Sequence, residues 1–220
     1  MPDQLLIPQR LYGREREVER LLECFAEVCA GPSALVLVGG YSGVGKTSLV
    51  NEVHTPIAKE RGFFVSGKFD QLERGVPYAA LAHAFRHLIL QVLADTGEEV
   101  EGYRERLRAA LGTNAGVVSA LVPEVETLIG PQPTPPELGP AGAQNRFHYV
   151  FQGFVGVFAR AEHPLVVFLD DLQWADAATL RLLSHLLTTP VIGHLCVIGA
   201  YRDNAVSPEH PLMRTLSELE

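Results

Sequence analysis

The chain has 220 residues, 47% of them hydrophobic and 20% charged, which fits one large globular domain or two small ones and excludes disordered and collagen-like chains. Eighteen Lys and Arg against 26 Asp and Glu give a formal charge of -8, so a broad basic surface for nucleic acid is not expected. The three cysteines, Cys24, Cys29 and Cys196, lack a CxxC spacing and fall in apolar surroundings, which fits a reducing compartment better than a disulfide framework or a zinc site. No basic start with an apolar core and cleavage site opens the chain, and no apolar run approaches the ~18 residues of a membrane span. The expectation is a cytoplasmic protein with no membrane partner.

From residue 14 to about 29, Val18, Leu21, Leu22, Phe25 and Val28 recur at helical spacing with charged residues between them, an amphipathic helix. Gly31-Pro32-Ser33 ends it, and the apolar run ALVLV at 34–38 reads as a strand covered on both faces. A Gly-rich turn, a helix expected from 46 to about 61 and a second strand at 63–67 complete a strand, helix, strand unit. Residues 78–93 predict an apolar-faced helix and 98–111 a more exposed one, so 78–122 is expected to be a helical insertion. Pro123, Pro131, Pro133, Pro135, Pro136 and Pro140 make 123–142 an expected Pro-rich, irregular connector. Beyond it follow a helix marked by Phe147, Phe151, Phe154 and Phe158, a strand at 165–169, a helix at 177–187, a strand at 195–200 and a last helix from 210. Strands alternating with helices predict an α/β fold with a parallel sheet.

After the first strand, Gly40 to Thr47 fits GxxxxGK[ST]. Glycines let the backbone curl so that successive N–H groups point inward, the following helix offers its positive end, and Lys46 adds a charge for terminal phosphates. Gly40, Ser42, Gly43, Val44, Gly45, Lys46, Thr47 and Ser48 are therefore candidate nucleotide contacts. Thr47 is also a candidate magnesium ligand. Residues 165–169 run directly into Asp170-Asp171, placing two carboxylates at the carboxyl end of a strand, where doubly wound sheets bind ligands. Asp170 suits the magnesium side and Asp171 the polarising of the attacking water. The competing reading is a strand terminus that caps the next helix.

The ordered set LYGRERE at 11–17, GGYSGVGKTSL, VVFLDDLQWAD and GAYRDN resembles the AAA+-related P-loop NTPase module of the STAND class, as found in large bacterial multidomain sensor kinases and transcription regulators. The likeness spans about residues 10 to 204. It implies a three-layer sandwich with a parallel sheet, ATP or ADP with Mg2+ as cofactors, and a module that acts as a nucleotide-dependent switch beside neighbouring signalling domains. Nucleotide-dependent self-association stays open. It further implies that Tyr12, Gly13 and Arg14 line the base pocket, that Glu17 supports the loop, and that Arg202 reads the terminal phosphate. Lys46, Asp171 and Arg202 are then the candidate catalytic residues, with Thr47 and Asp170 on the metal. Trp174 and Asp176 are assigned packing and helix capping.

Two departures from the family pattern matter. Many AAA+ enzymes carry Glu where this chain has Asp171, so slow hydrolysis is expected. Such modules also have a fifth strand, a helical lid and often a winged helix, whereas four strands can be placed here. The expectation is therefore one P-loop ATPase domain over 1–220, truncated from a longer protein, with an exposed sheet edge and an open site. A non-hydrolysing, nucleotide-holding interaction module and an initiator-like DNA-binding ATPase are the alternatives. His83 and His87 stand four apart on a helix but without HExxH or an obvious third ligand, so no metal site is expected there.

Overall fold

Four short apolar runs form the strands of one parallel sheet; the two central ones, 165–170 and 195–200, are buried on both faces, whereas the edge strands at 34–38 and 63–68 are only partly covered. The computed structural model describes residues 13–73, 76–95 and 97–219. In chain order the elements are α1 (Glu15–Cys29), β1 (Ala34–Val38), α2 (Lys46–Glu52), α3 (His54–Lys59), β2 (Phe63–Lys68), α4 (Ala79–Leu93) and α5 (Gly97–Leu111). They continue with α6 (Ala115–Ser119), α7 (Val125–Ile129), α8 (Pro140–Phe158), β3 (Leu165–Asp170), α9 (Ala177–Thr188), β4 (Leu195–Ala200) and α10 (Pro211–Leu219).

The strand order is β1-β4-β3-β2, with every pairing parallel. Side chains alternate between the two faces, which explains why the runs are continuously apolar. Val166, Phe168, Cys196 and Ile198 pack with Leu21, Phe25 and Val28 of α1 and with α2 and α3. Leu165, Val167, Leu169, Leu195 and Val197 face the opposite core, built from α4, α5, α8 and α9. Helices on both faces give the three-layer α/β sandwich.

Two local differences from expectation have physical causes. The helix expected from 46 to about 61 is broken at Val53, where α2 gives way to α3. Pro56 has no N–H to return to the carbonyl of Glu52, so the ladder is interrupted one turn ahead of it. The stretch 123–142 contains the turn of helix α7, which buries Val125, Leu128 and Ile129. Pro123 precedes that helix and Pro140 opens α8, positions where a missing N–H costs no intrahelical bond. In α8, Phe147, Phe151, Phe154 and Phe158 form the aromatic spine of the helical side, with Phe151 edge-on to Phe85 of α4 at 5.1 Å.

The register sets the strand tips level. Val38 pairs with Ala200, Leu169 with Gly199, and Lys68 with Asp170. The loops leaving these tips therefore meet along one edge of the sheet.

Candidate functional site

The loop between β1 and α2 is shaped by glycines in conformations that L side chains resist: Gly40 at φ 151°, Gly43 at φ 78° and Gly45 at φ 88°. Gly45 is the residue from which α2 starts, so the positive end of that helix opens into the loop. Lys46, 8% exposed, bends its ammonium to the carbonyls of Gly40 at 2.8 Å and Tyr41 at 3.0 Å. The lysine charge is thus held across the mouth of the loop, within reach of an anion. Arg14, just ahead of α1, donates from Nη2 to the carbonyl of Val44 at 2.9 Å and ties the start of the chain's first helix to the loop tip. Gly13 adopts φ 81° and its N–H donates to Glu15 Oε1. Glu17 is exposed on the same turn. Tyr12 lies outside the described residues.

Beside the loop, the Thr47 hydroxyl donates to Asp170 Oδ2 at 2.9 Å, while Asp170 Oδ1 accepts the backbone N–H of Asp171 at 2.9 Å. A hydroxyl next to a carboxylate is a hard-oxygen donor set of the kind that suits Mg2+. The chain then turns sharply, since Asp171 is left-handed at φ 55° and ψ 42°, a costly conformation for a non-glycine residue. This turn sends its carboxylate toward Arg202, which follows β4. There Oδ1 accepts from Gln173 Nε2 at 2.8 Å and Arg202 Nε at 3.0 Å, and Oδ2 from Arg202 Nη2 at 3.3 Å, with Lys68 Nζ 3.5 Å from Oδ2. Burial raises the affinity of this carboxyl for a proton, but the hydrogen bonds from Gln173 and Arg202 and the charges of Arg202 and Lys68 outweigh it. The net direction is below the usual aspartate range.

Ser42, Gly43, Gly45, Lys46, Thr47, Ser48, Asp170, Asp171 and Arg202 line one cavity of about 330 Å³, together with Lys68. A second cavity of about 710 Å³ shares Thr47, Lys68 and Asp170 with the first and extends past Ser66, Asp70 and His83 under α4. Gly40 and Val44 take part through their carbonyls, and the Val44 side chain stands exposed beside Tyr41 at the loop tip. The donor types, the inward-curling loop and the space together fit a phosphate chain with a divalent cation.

Two residues of this cluster escape a reading of the sequence. Gln173 is 1% exposed, donates to Asp171 and accepts the backbone N–H of Arg202 at 3.1 Å, so it fixes both partners at once. Lys68 adds a cation from the tip of β2. The available signals were a buried amide between the aspartates and Trp174, and a lysine closing an apolar strand. Asp176 does cap α9, accepting the Thr179 N–H at 2.9 Å, and it also accepts the N–H of Tyr78, the left-handed residue from which α4 starts. The His83 and His87 rings lie 4.4 Å apart, tilted by 50°, and among the described residues no group of three or more potential ligands is placed to hold a metal.

Comparison with known proteins agrees with this architecture. Residues 10–198 match the family model of the AAA ATPase domain. The chain is 36% identical over 181 residues to the hybrid signal transduction histidine kinase G of Dictyostelium discoideum, covering 82% of this chain and 5% of that protein. It is 23% identical over 167 residues to histidine protein kinase 1 of Candida albicans, covering 70% of this chain and 7% of the other. It therefore spans a small fraction of the curated relatives it matches. Among solved structures, Cdc6p from Pyrobaculum aerophilum superposes over 96% of this chain and 46% of its own, with a TM-score of 0.51 at 13% identity, a likeness of fold. No helix among the described residues is long and apolar enough to cross a membrane. With its family model matched over most of its length, the chain belongs to the AAA ATPase domain family.

Proposed function

We propose that the domain is an ATP-binding, magnesium-dependent ATPase that serves as a nucleotide-dependent switch beside signalling domains in the cytoplasm. The observation that carries the reading is the lock on Asp171, whose carboxylate is held by Arg202, Gln173 and Lys68 at once. In this reading the phosphate chain would lie on the backbone N–H groups of Gly43 to Thr47 with Lys46, and Thr47 and Asp170 would hold the metal. Bound magnesium supplies charge neutralisation of the transferred phosphoryl group. A γ-phosphate in the shared cavity competes with Asp171 for Arg202 and Lys68, because each cation prefers the more highly charged oxygens. Asp171 is then released to orient the water that attacks the γ-phosphorus as its bond to the bridging oxygen breaks. Loss of the γ-phosphate returns Arg202 to Asp171, so the pair reports which nucleotide is bound.

Slow turnover belongs to this reading. Asp171 is shorter than glutamate, lies below the usual aspartate range, and is a weak proton acceptor while three donors hold it. The likeness to signal-transduction histidine kinases supports neighbouring domains as the recipients of the switch.

The test is ATP binding and single-turnover hydrolysis by the parent, Lys46→Ala and Asp171→Asn. Lys46→Ala is expected to weaken ATP binding by at least about tenfold, roughly 1.4 kcal/mol, and Asp171→Asn to keep binding and lose turnover. A folded parent that does not bind ATP, or binds it as well as Lys46→Ala does, overturns the proposal. Binding without any turnover leaves the nucleotide-holding module as the function.

A further inference from the structure

Gln173 is polar yet only 1% exposed, sealed into the turn that follows β3 beside the buried Leu172. A buried amide is costly unless both of its ends are bonded. Here Nε2 donates to Asp171 Oδ1 at 2.8 Å, and Oε1 accepts the backbone N–H of Arg202 at 3.1 Å. The amide has one workable orientation, since turning it over sets oxygen against carboxylate and NH2 against N–H. Backbone bonds from Trp174 to Asp171 at 2.9 Å and from Ala175 to Leu172 at 3.1 Å hold the turn itself.

The donors on Asp171 are of two kinds. Lys68 and Arg202 have side chains 67% and 36% exposed, and both line the cavity of about 330 Å³ beside the glycine loop. Gln173 is sealed and is not on that cavity's wall. An anion in the cavity therefore draws the two cations toward it. The amide, bonded at both ends and out of the anion's reach, stays where it is. Its two bonds pin the Asp171 side chain and the Arg202 main chain, so the guanidinium swings about a fixed backbone.

We propose that Gln173 is a positioning residue for hydrolysis, a role that rests on the ATPase reading above. When Arg202 and Lys68 turn to the γ-phosphate, Gln173 keeps Oδ1 of Asp171. Oδ2, held in the nucleotide-free protein by those two cations, is thereby the oxygen left to face the attacking water. As the water oxygen bonds to the γ-phosphorus, the bond to the bridging oxygen breaks with its electron pair staying on ADP, and the water's proton passes by way of Oδ2 to the phosphate released. Without the amide, the carboxylate turns freely about its last torsion once the cations leave, and neither oxygen is aimed. Gln173 touches no reacting atom and acts through Asp171.

The test compares the parent with Gln173→Met, which fills the same space and makes neither bond, and with Gln173→Asn, which keeps the amide but draws it back by one methylene. Both variants are expected to bind ATP within about threefold of the parent by calorimetry, and Gln173→Met to lose about 100-fold in single-turnover rate. Combining Gln173→Met with Asp171→Asn is expected to give a rate no lower than Asp171→Asn alone, because the amide works only through that carboxylate. A merely structural role multiplies the two losses instead. A crystal structure of the parent with a non-hydrolysable ATP analogue is expected to show Arg202 on the γ-phosphate and Gln173 still bonded to Oδ1. Variants that turn over at the parent's rate, losses that multiply in the double variant, or an amide that has left Asp171 in the analogue complex overturn this proposal alone. A parent that binds ATP without cleaving it overturns the ATPase reading and this proposal with it.

Discussion

Arg202 and Asp171 are joined at two points, Nε to Oδ1 at 3.0 Å and Nη2 to Oδ2 at 3.3 Å, and Gln173 bonds to both residues. The carboxylate side chain is 11% exposed and the guanidinium 36%, so the pair is screened on one side only. A double-mutant cycle of Asp171→Asn and Arg202→Leu, read by urea unfolding, is expected to give a coupling of about 1–2 kcal/mol. Additivity within a few tenths of a kcal/mol would show that the contact is energetically idle.

Acid stability follows from the same carboxylate. Its folded value lies below the unfolded one of about 3.9, so its contribution is fully present above that value and fades as pH falls through the lower folded value. Thermal unfolding between about pH 5 and pH 2 should therefore show a flatter acid limb in Asp171→Asn than in the parent. Parallel limbs would mean that the ion pair does not persist in solution.

Lys68 sits at the tip of β2 with its side chain 67% exposed, 3.5 Å from Asp171. A pair this exposed contributes little to stability. Its effect belongs to the bound anion: Lys68→Ala is expected to weaken ATP by about tenfold, roughly 1.4 kcal/mol, and ADP by much less. Titration calorimetry with both nucleotides measures the ratio, and equal losses would remove Lys68 from the γ-phosphate side.

Asp176 serves two helices, since it caps α9 through Thr179 and accepts the N–H of Tyr78 at the start of α4. Asp176→Ala should cost about 2 kcal/mol, a fall in melting temperature of roughly 4–8 °C for a chain of this size. Asp176→Asn, which keeps one acceptor oxygen but puts an amide NH2 in place of the other, should recover only the share owed to one of the two helices.

Gly67 lies where α4 presses on β2: a Cβ there would stand 2.1 Å from the carbonyl oxygen of Ala80. Because the obstacle is backbone, Gly67→Ala should cost about 3 kcal/mol or more, seen as a lower urea midpoint. A change under about 1 kcal/mol would mean that α4 shifts freely on the sheet.

The phosphate-loop geometry was legible in the sequence because a backbone that curls at Gly40, Gly43 and Gly45 demands glycine, and because an apolar run ending in Asp170-Asp171 reads as a buried strand with carboxylates at its tip. The two-faced alternation of Val166 and Val167 was legible for the same reason. The insertion of β4 between β1 and β3 was not, since it depends on how α1 and α9 pack across the sheet rather than on any local pattern. Nor was the capture of Asp171 by Arg202, which needs both the Leu169 to Gly199 register and a left-handed aspartate that local propensity argues against. Tyr78 is the same case: its left-handed turn is held by Asp176 and Thr179, partners 98 and 101 residues away.

Among the described residues β1 has one neighbouring strand, and that neighbour, β4, is the last of the four to be made. On a ribosome adding about 5–20 residues per second, β1 waits on the order of 10 s for its hydrogen-bonding partner. During that interval the loop's glycines and Lys46 have been synthesised while Arg202 has not, and the apolar run of β1 is open to wrong pairings. The order of synthesis thus makes arrival of β4 the event that closes the sheet and completes the site together, and slow translation late in the message would lengthen the vulnerable period.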